Sequence, residues 1–178
     1  KSKGIRVYGF DKSNNSLKEA LEKNIIDSKV ESILDINSKD FVKKVDLIIV
    51  AVPPKQTLDV LNDLKVIWNT DVTITDTSSV KNHIKLNGAS NIVLSHPIAG
   101  SDQSGISAAN GDLFKNKKNV LCDPFNSKKG HFEKVDNFWK NALQMRTSSM
   151  SVAEHDLIFA MTSHLPHLVS YALIDSIR

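Results

Sequence analysis

Six consecutive apolar residues, Leu47-Ile48-Ile49-Val50-Ala51-Val52, are followed at once by Pro53 and Pro54. A strand buried on both faces needs such a run, and the prolines both end it and open a helix. The helical pattern at residues 57–64 is one of several that alternate with short apolar runs. Further strands are expected at 5–10, 72–75, 91–94 and 119–122, with an edge strand at 145–148. Helices are expected at 16–23, capped by Ser13, Asn14 or Asn15, and at 133–143, where Val135, Phe138, Trp139 and Ala142 share a face. This alternation specifies an α/β fold with a mostly parallel sheet covered on both faces. From residue 151 the pattern becomes one long helix interrupted only at Pro166, so the chain divides into a domain at 1–149 and the start of a helical domain at 150–178.

With 178 residues, 40% of them apolar, the chain can bury a substantial core. Lys and Arg number 23 against 20 Asp and Glu, and a scattered formal charge of +3 argues against a nucleic-acid partner. The single cysteine, Cys122, excludes an internal disulfide, reads as a core residue, and fits a reducing, cytoplasmic setting. No unbroken run of about 18 apolar residues is present, which predicts no membrane-spanning helix.

The segment Leu94-Ser95-His96-Pro97-Ile98-Ala99-Gly100-Ser101-Asp102-Gln103-Ser104-Gly105 places a histidine, hydroxyls and a carboxylate just past an apolar strand. Ligands collect at the carboxyl ends of strands in open α/β sheets, and Pro97 with Gly100 is expected to end the strand in a stiff turn. Asp11 closes the first strand, where a carboxylate can accept hydrogen bonds from an adenosine ribose and repel a 2′-phosphate. Taken alone, a carboxylate there is more often a turn or helix-cap residue. The Gly-x-Gly-x-x-Gly loop of such a Rossmann-like site would lie about 20 residues before Asp11, ahead of Lys1. Either no dinucleotide binds, or the sequence starts after the first strand and its phosphate loop; the second reading makes Lys1-Ser2-Lys3-Gly4 the tail of the preceding helix.

Three segments, Asp76-Thr77-Ser78-Ser79-Val80-Lys81, the one around His96, and Thr162-Ser163-His164-Leu165-Pro166-His167, make the chain resemble the prephenate and arogenate dehydrogenases of tyrosine biosynthesis. Gly111-Asp112-Leu113-Phe114 fits between the last two. Departures are Ile98 where the family often has Met, and Ser101-Asp102 where it often has Thr-Glu. The Gly-rich loop and the C-terminal helices, with a substrate-binding arginine, are not among these residues.

The resemblance implies an NAD-dependent oxidative decarboxylation of prephenate to 4-hydroxyphenylpyruvate, in an enzyme that is a homodimer when intact. His96 is then the proton acceptor, an imidazole titrating near neutral pH, although its residue context alone would equally suit a turn histidine. Ser79 is expected beside the nicotinamide, hydrogen-bonded to substrate and to His96, or as the cap of a helix from Val80. His167 and His164, with Ser101 and Asp102, would contact substrate; Ala51, Val52 and Pro53, with Asp76 and Thr77, would line the cofactor. Asp11 favours NAD over NADP, although Lys12 and Ser13 could partly accommodate a phosphate. His164 and His167 share a helix face but lack a third ligand at metal spacing, so no metal is expected. Rival readings are an arogenate dehydrogenase, another two-domain NAD(P)-dependent dehydrogenase of a small acid, and a degenerate nucleotide-binding remnant.

Overall fold

The structure is a computed structural model that describes residues 4–101, 105–128 and 130–177. Strand β1 (Tyr8–Gly9) leads to α1 (Asn14–Glu22), capped by Ser13, whose side chain accepts from the Ser16 amide. Strand β2 (Ser28–Lys29) pairs in parallel with β1 and precedes two single-turn helices, α2 (Ile33–Ile36) and α3 (Lys39–Val42), capped by Ser32 and Ser38. Gly9 faces the Ile26 side chain so closely that a Cβ there would lie 2.8 Å from Ile26 Cδ1. Only glycine permits that approach.

Strand β3 (Leu47–Val50), α4 (Pro54–Asp63) and β4 (Thr73–Asp76) form the next unit, β3 and β4 pairing in parallel. Proline occupies the first turn of α4, where its missing N–H is no loss. A parallel bridge between Ile74 and Ile92 carries the sheet on to β5 (Leu94–Ile98). β5 pairs antiparallel with β6 (Lys118–Cys122), and β6 in parallel with β7 (Arg146–Ser149), which follows α5 (His131–Asn137) and a π-helical turn at Phe138–Ala142.

Alternation along the strands fills two layers, as the two-sided covering requires. Ile74, Ile92, Leu94, Val120 and Cys122 pack with Leu61, Leu64 and Trp68 on one side of the sheet. Val93 and Leu121 point the other way, against Val135, Trp139 and Met145. Each such side chain stabilises the fold by about 1.5–3 kcal/mol when fully buried.

Three expectations need correction. The run at 47–52 is not buried on both faces, since Ile49 is 38% exposed: among the described residues β3 is hydrogen-bonded to β4 alone, and β1 and β2 form a separate ladder. The strand before His96 does not stop at Pro97 but runs through it to Ile98. β5 lies at the edge of its three-stranded ladder, where a proline need not supply an N–H to a neighbour. Pro166 does not break the last helix either. Helix α6 (Val152–Phe159) passes through a π-helical turn at Ala160–His164 into α7 (Leu165–Ser176), with Pro166 in the first turn of α7.

The joined helix Val152–Ser176 is 25 residues long, and its most apolar stretch has a mean hydropathy of 1.4. By length and composition it could cross a membrane, contrary to the expectation from unbroken apolar runs. Polar residues such as Thr162, Ser163 and His167 interrupt the run without lowering its mean below that of a spanning helix.

Candidate active site

The carboxyl ends of β4 and β5 are joined by a buried polar network. Asp76, at the end of β4, and Lys81 are both 0% exposed and form an ion pair at 2.6 Å. Asp76 Oδ1 accepts from the Ser95 amide (3.0 Å) and Oδ2 from the Ser78 amide (2.9 Å). Lys81 Nζ also donates to the Ser95 carbonyl (2.6 Å), and the Ser95 hydroxyl donates to the Asp76 carbonyl (2.5 Å). Burial pushes the Lys81 ammonium below its ordinary value while Asp76 pulls it back. Asp76 is therefore enclosed, and the expectation that it lines the cofactor is corrected: its bonds are spent holding one strand end against the next. Thr77, half-buried, ties the end of β4 to β3 through its amide and the Val50 carbonyl (3.1 Å).

His96 follows Ser95 on β5 and is half-buried. Its Nδ1 lies 2.9 Å from His155 Nε2, and His155 Nδ1 lies 2.7 Å from Asp156 Oδ1. His155 is fully buried. The two imidazoles and Phe159 form a ring cluster with centroids 4.7–5.0 Å apart. Asp156 also accepts from the amides of Lys81 (3.0 Å) and Asn82 (2.8 Å). Burial above all, then His155, Lys81 and His164, pushes the His96 imidazole down to about 3, with Asp156 opposing. An imidazole titrating near neutrality is thus replaced by one that stays neutral throughout that range. His155 is lowered mainly by burial, and Asp156 lies below its ordinary value because hydrogen bonds from His155, Asn82 and Lys81 outweigh burial.

Ser79 is half-buried in the turn after β4. Among the described residues no hydrogen bond joins it to His96, whose Nδ1 is already taken by His155. Nor does a helix begin at Val80; turns follow, and Ser78 rather than Ser79 makes the local bonds, its hydroxyl donating to the Val80 carbonyl. Among the described residues the Ser79 hydroxyl has no hydrogen-bond partner. Ala51 and Pro53 are exposed beyond β3, with Val52 half-buried between them. Asp11 is exposed after β1, and its Oδ1 accepts from the Ser13 amide (2.7 Å), so the turn role is realised with Oδ2 uncommitted among the described residues. His164 is half-buried in the π-helical turn, His167 is exposed on α7, and Ser101 is exposed after β5. Asp102 lies outside the described residues. Among the described residues no three His, Cys, Asp or Glu side chains are grouped to hold a metal ion.

His155 and Asp156 are the residues that sequence reasoning missed. They sit in an ordinary helical stretch, and the one hint is the box Ser151-x-x-Glu154 that fixes where that helix starts. The box orients the next turn, which turns His155 toward β5.

Residues 1–144 match the family described as prephenate dehydrogenase, nucleotide-binding domain, and residues 151–178 the prephenate dehydrogenase dimerization domain. The chain is 30% identical to a cyclohexadienyl dehydrogenase of Zymomonas mobilis, over 97% of this chain and 59% of that protein. It is 31% identical to a prephenate dehydrogenase of Bacillus subtilis, over 96% of this chain and 46% of that protein. A prephenate dehydrogenase of Aquifex aeolicus, solved with hydroxyphenyl propionate and NAD+, superposes with a TM-score of 0.85 at 29% identity, covering 98% of this chain and 61% of that one. The chain thus spans about half the length of the curated relatives it matches. The nucleotide-binding domain model covers well over half of the chain and the dimerization domain model takes up the helix that follows it, so the chain belongs to the prephenate dehydrogenase family.

Proposed function

We propose that the protein oxidatively decarboxylates prephenate to 4-hydroxyphenylpyruvate with NAD as hydride acceptor, a step of tyrosine biosynthesis. The observation that carries this reading is the neutral His96 imidazole at the edge of the sheet, with its Nδ1 engaged and, among the described residues, the Ser79 hydroxyl uncommitted at the end of the neighbouring strand. The chain's own residues suit a dinucleotide. Asp11 offers a free carboxylate oxygen to a ribose hydroxyl and would repel a 2′-phosphate, which favours NAD over NADP. Ala51, Val52 and Pro53 after β3, and Thr77 after β4, would line the remainder at the strand ends. When bound, the dinucleotide supplies the acceptor for the hydride.

His96 Nε2 accepts the proton of the ring hydroxyl as the carbon bearing it loses its hydride. The bond from the ring to its carboxylate then breaks, carbon dioxide departs, and the electron pair completes the aromatic ring. The proton held on His96 returns to the phenolate oxygen. Ser79 orients the reacting hydroxyl, and His164, His167, Ser101 and Asp102 contact the substrate. The carboxylates of the substrate act to raise the His96 pKa, which restores basicity at the moment it is needed.

Helix Val152–Ser176 exposes Leu157, Met161, Leu165, Leu168 and Tyr171, an apolar stripe suited to a second copy of the chain, in keeping with its match to a dimerization domain. The buried free thiol of Cys122, pushed up to about 11 by burial, suits a reducing, cytoplasmic setting.

The test follows reduced-nicotinamide absorbance on the full-length gene product with NAD and prephenate, then arogenate. Turnover of prephenate is expected, and arogenate distinguishes the broader specificity suggested by the cyclohexadienyl dehydrogenase relative. Turnover of neither refutes the reading.

A further inference from the structure

We propose that His155 and Asp156 are positioning residues that dictate which nitrogen of His96 is free to accept a proton, and that Asp156 also fixes the turn carrying Ser79. The inference rests on the proposed role of His96 as proton acceptor.

Asp156 accepts the Lys81 and Asn82 amides and holds its pKa below the ordinary carboxylate range, so it is ionised and can only accept hydrogen bonds. The proton between it and His155 therefore sits on His155 Nδ1. A neutral imidazole protonated at Nδ1 has a bare Nε2, so His155 Nε2 accepts, and the bond to His96 requires the proton on His96 Nδ1. That leaves the lone pair on His96 Nε2. Without this order His96 has no reason to prefer the reactive tautomer. When His96 takes up a proton, its charge lies one ring away from the Asp156 carboxylate, which favours it electrostatically.

The same carboxylate serves the second strand end. Lys81 and Asn82 follow Ser79 by two and three residues, so their amide bonds to Asp156 pin the Ser79 turn against α6. One helical carboxylate thus bonds both to the ring that holds the base and to the turn that follows Ser79.

Asp156→Asn tests the proposal, because its amide can keep accepting the two backbone amides while its NH2 donates to His155 Nδ1. The proton order then reverses: His155 Nε2–H donates to His96 Nδ1, and His96 carries its proton on Nε2. Nitrogen-15 spectra of the histidines in the full-length gene product, without substrate, should show His96 protonated at Nδ1 in the wild type and at Nε2 in the variant. With prephenate and NAD, kcat should fall about 100-fold to 10,000-fold, the share that general acid–base catalysis commonly supplies, while NAD affinity stays the same. Both tautomers are neutral, so the deficit of the variant should persist at alkaline pH. An unchanged His96 tautomer overturns the proposal even if prephenate is a substrate, and the predicted reversal stands even if it is not. Should Asp156→Asn fail to fold, His155→Phe keeps the ring against His96 and Phe159 and removes the acceptor. His96 should then lose its exclusive Nδ1 protonation; retention of it also overturns the proposal.

Discussion

The His96 imidazole is pushed down to about 3, and His131 and His155 are lowered too, all mainly by burial. Below the ordinary histidine pKa of about 6.5 the unfolded chain therefore binds protons that the folded chain refuses. These groups cost nothing above that pH, and stability falls as pH drops from about 6.5 toward the folded values. Melting temperatures should decline between pH 7 and 5, and His96 resonances should keep their neutral positions through pH 5. A His96 titration near 6.5 would contradict the burial seen here. His96→Asn should abolish hydride transfer while leaving NAD affinity nearly intact, because the base acts on substrate; retained activity would remove His96 from the mechanism. At this scale the sequence marked His96 and Ser79 as candidates, since their segments carry polar groups at strand ends. It could not disclose His155 and Asp156, because the contact that gives them meaning spans 59 residues and leaves no local pattern. Asp76 was misassigned for a related reason: a carboxylate at a strand end looks the same whether it faces a ligand or a buried lysine. Lys81→Met should leave that carboxylate unpaired and cost about 3–5 kcal/mol by denaturant melt.

Strands and helices were legible where periodicity alone decides them, as in α4 after Pro53 and in the Val135–Trp139 face of α5 and its continuation. They were misread where pairing overrides local chemistry. Pro97 signals a strand end in isolation, yet pairing with β6 carries β5 through it and places His96 within the strand rather than on a loop. Likewise Pro166 cannot donate an N–H, but a wider π-helical turn just before it lets the helix continue. A close approach can be tested between elements: β1 lies against Ile26 at Gly9, where an added Cβ would meet Cδ1 at 2.8 Å and Cγ2 at 3.0 Å. Gly9→Ala should destabilise the fold by about 1–3 kcal/mol. Ile26→Val deletes Cδ1, so the double variant should recover part of the loss, a coupling a denaturant cycle can measure. Strict additivity would show that the contact is not the cause.

At the scale of the whole molecule, one helix does two jobs. Its first turns lock His96 through His155 and Asp156, while its later turns expose Leu165, Leu168, Tyr171 and Ile174 to solvent. Apolar patches of this kind are rare on monomers and common where obligate homodimers meet. The hydrogen bonds from Asp156 through His155 to His96, by contrast, form within this chain. Disrupting association should therefore leave the imidazole order alone. Leu165→Asp with Leu168→Asp should convert a dimer to monomers in sedimentation equilibrium, without changing the protonated nitrogen of His96. A wild type that sediments as a monomer would remove the second copy from the proposal. A variant that dissociates and also loses the Nδ1 proton of His96 would mean that the partner, rather than α6 itself, holds the helix in register with β5.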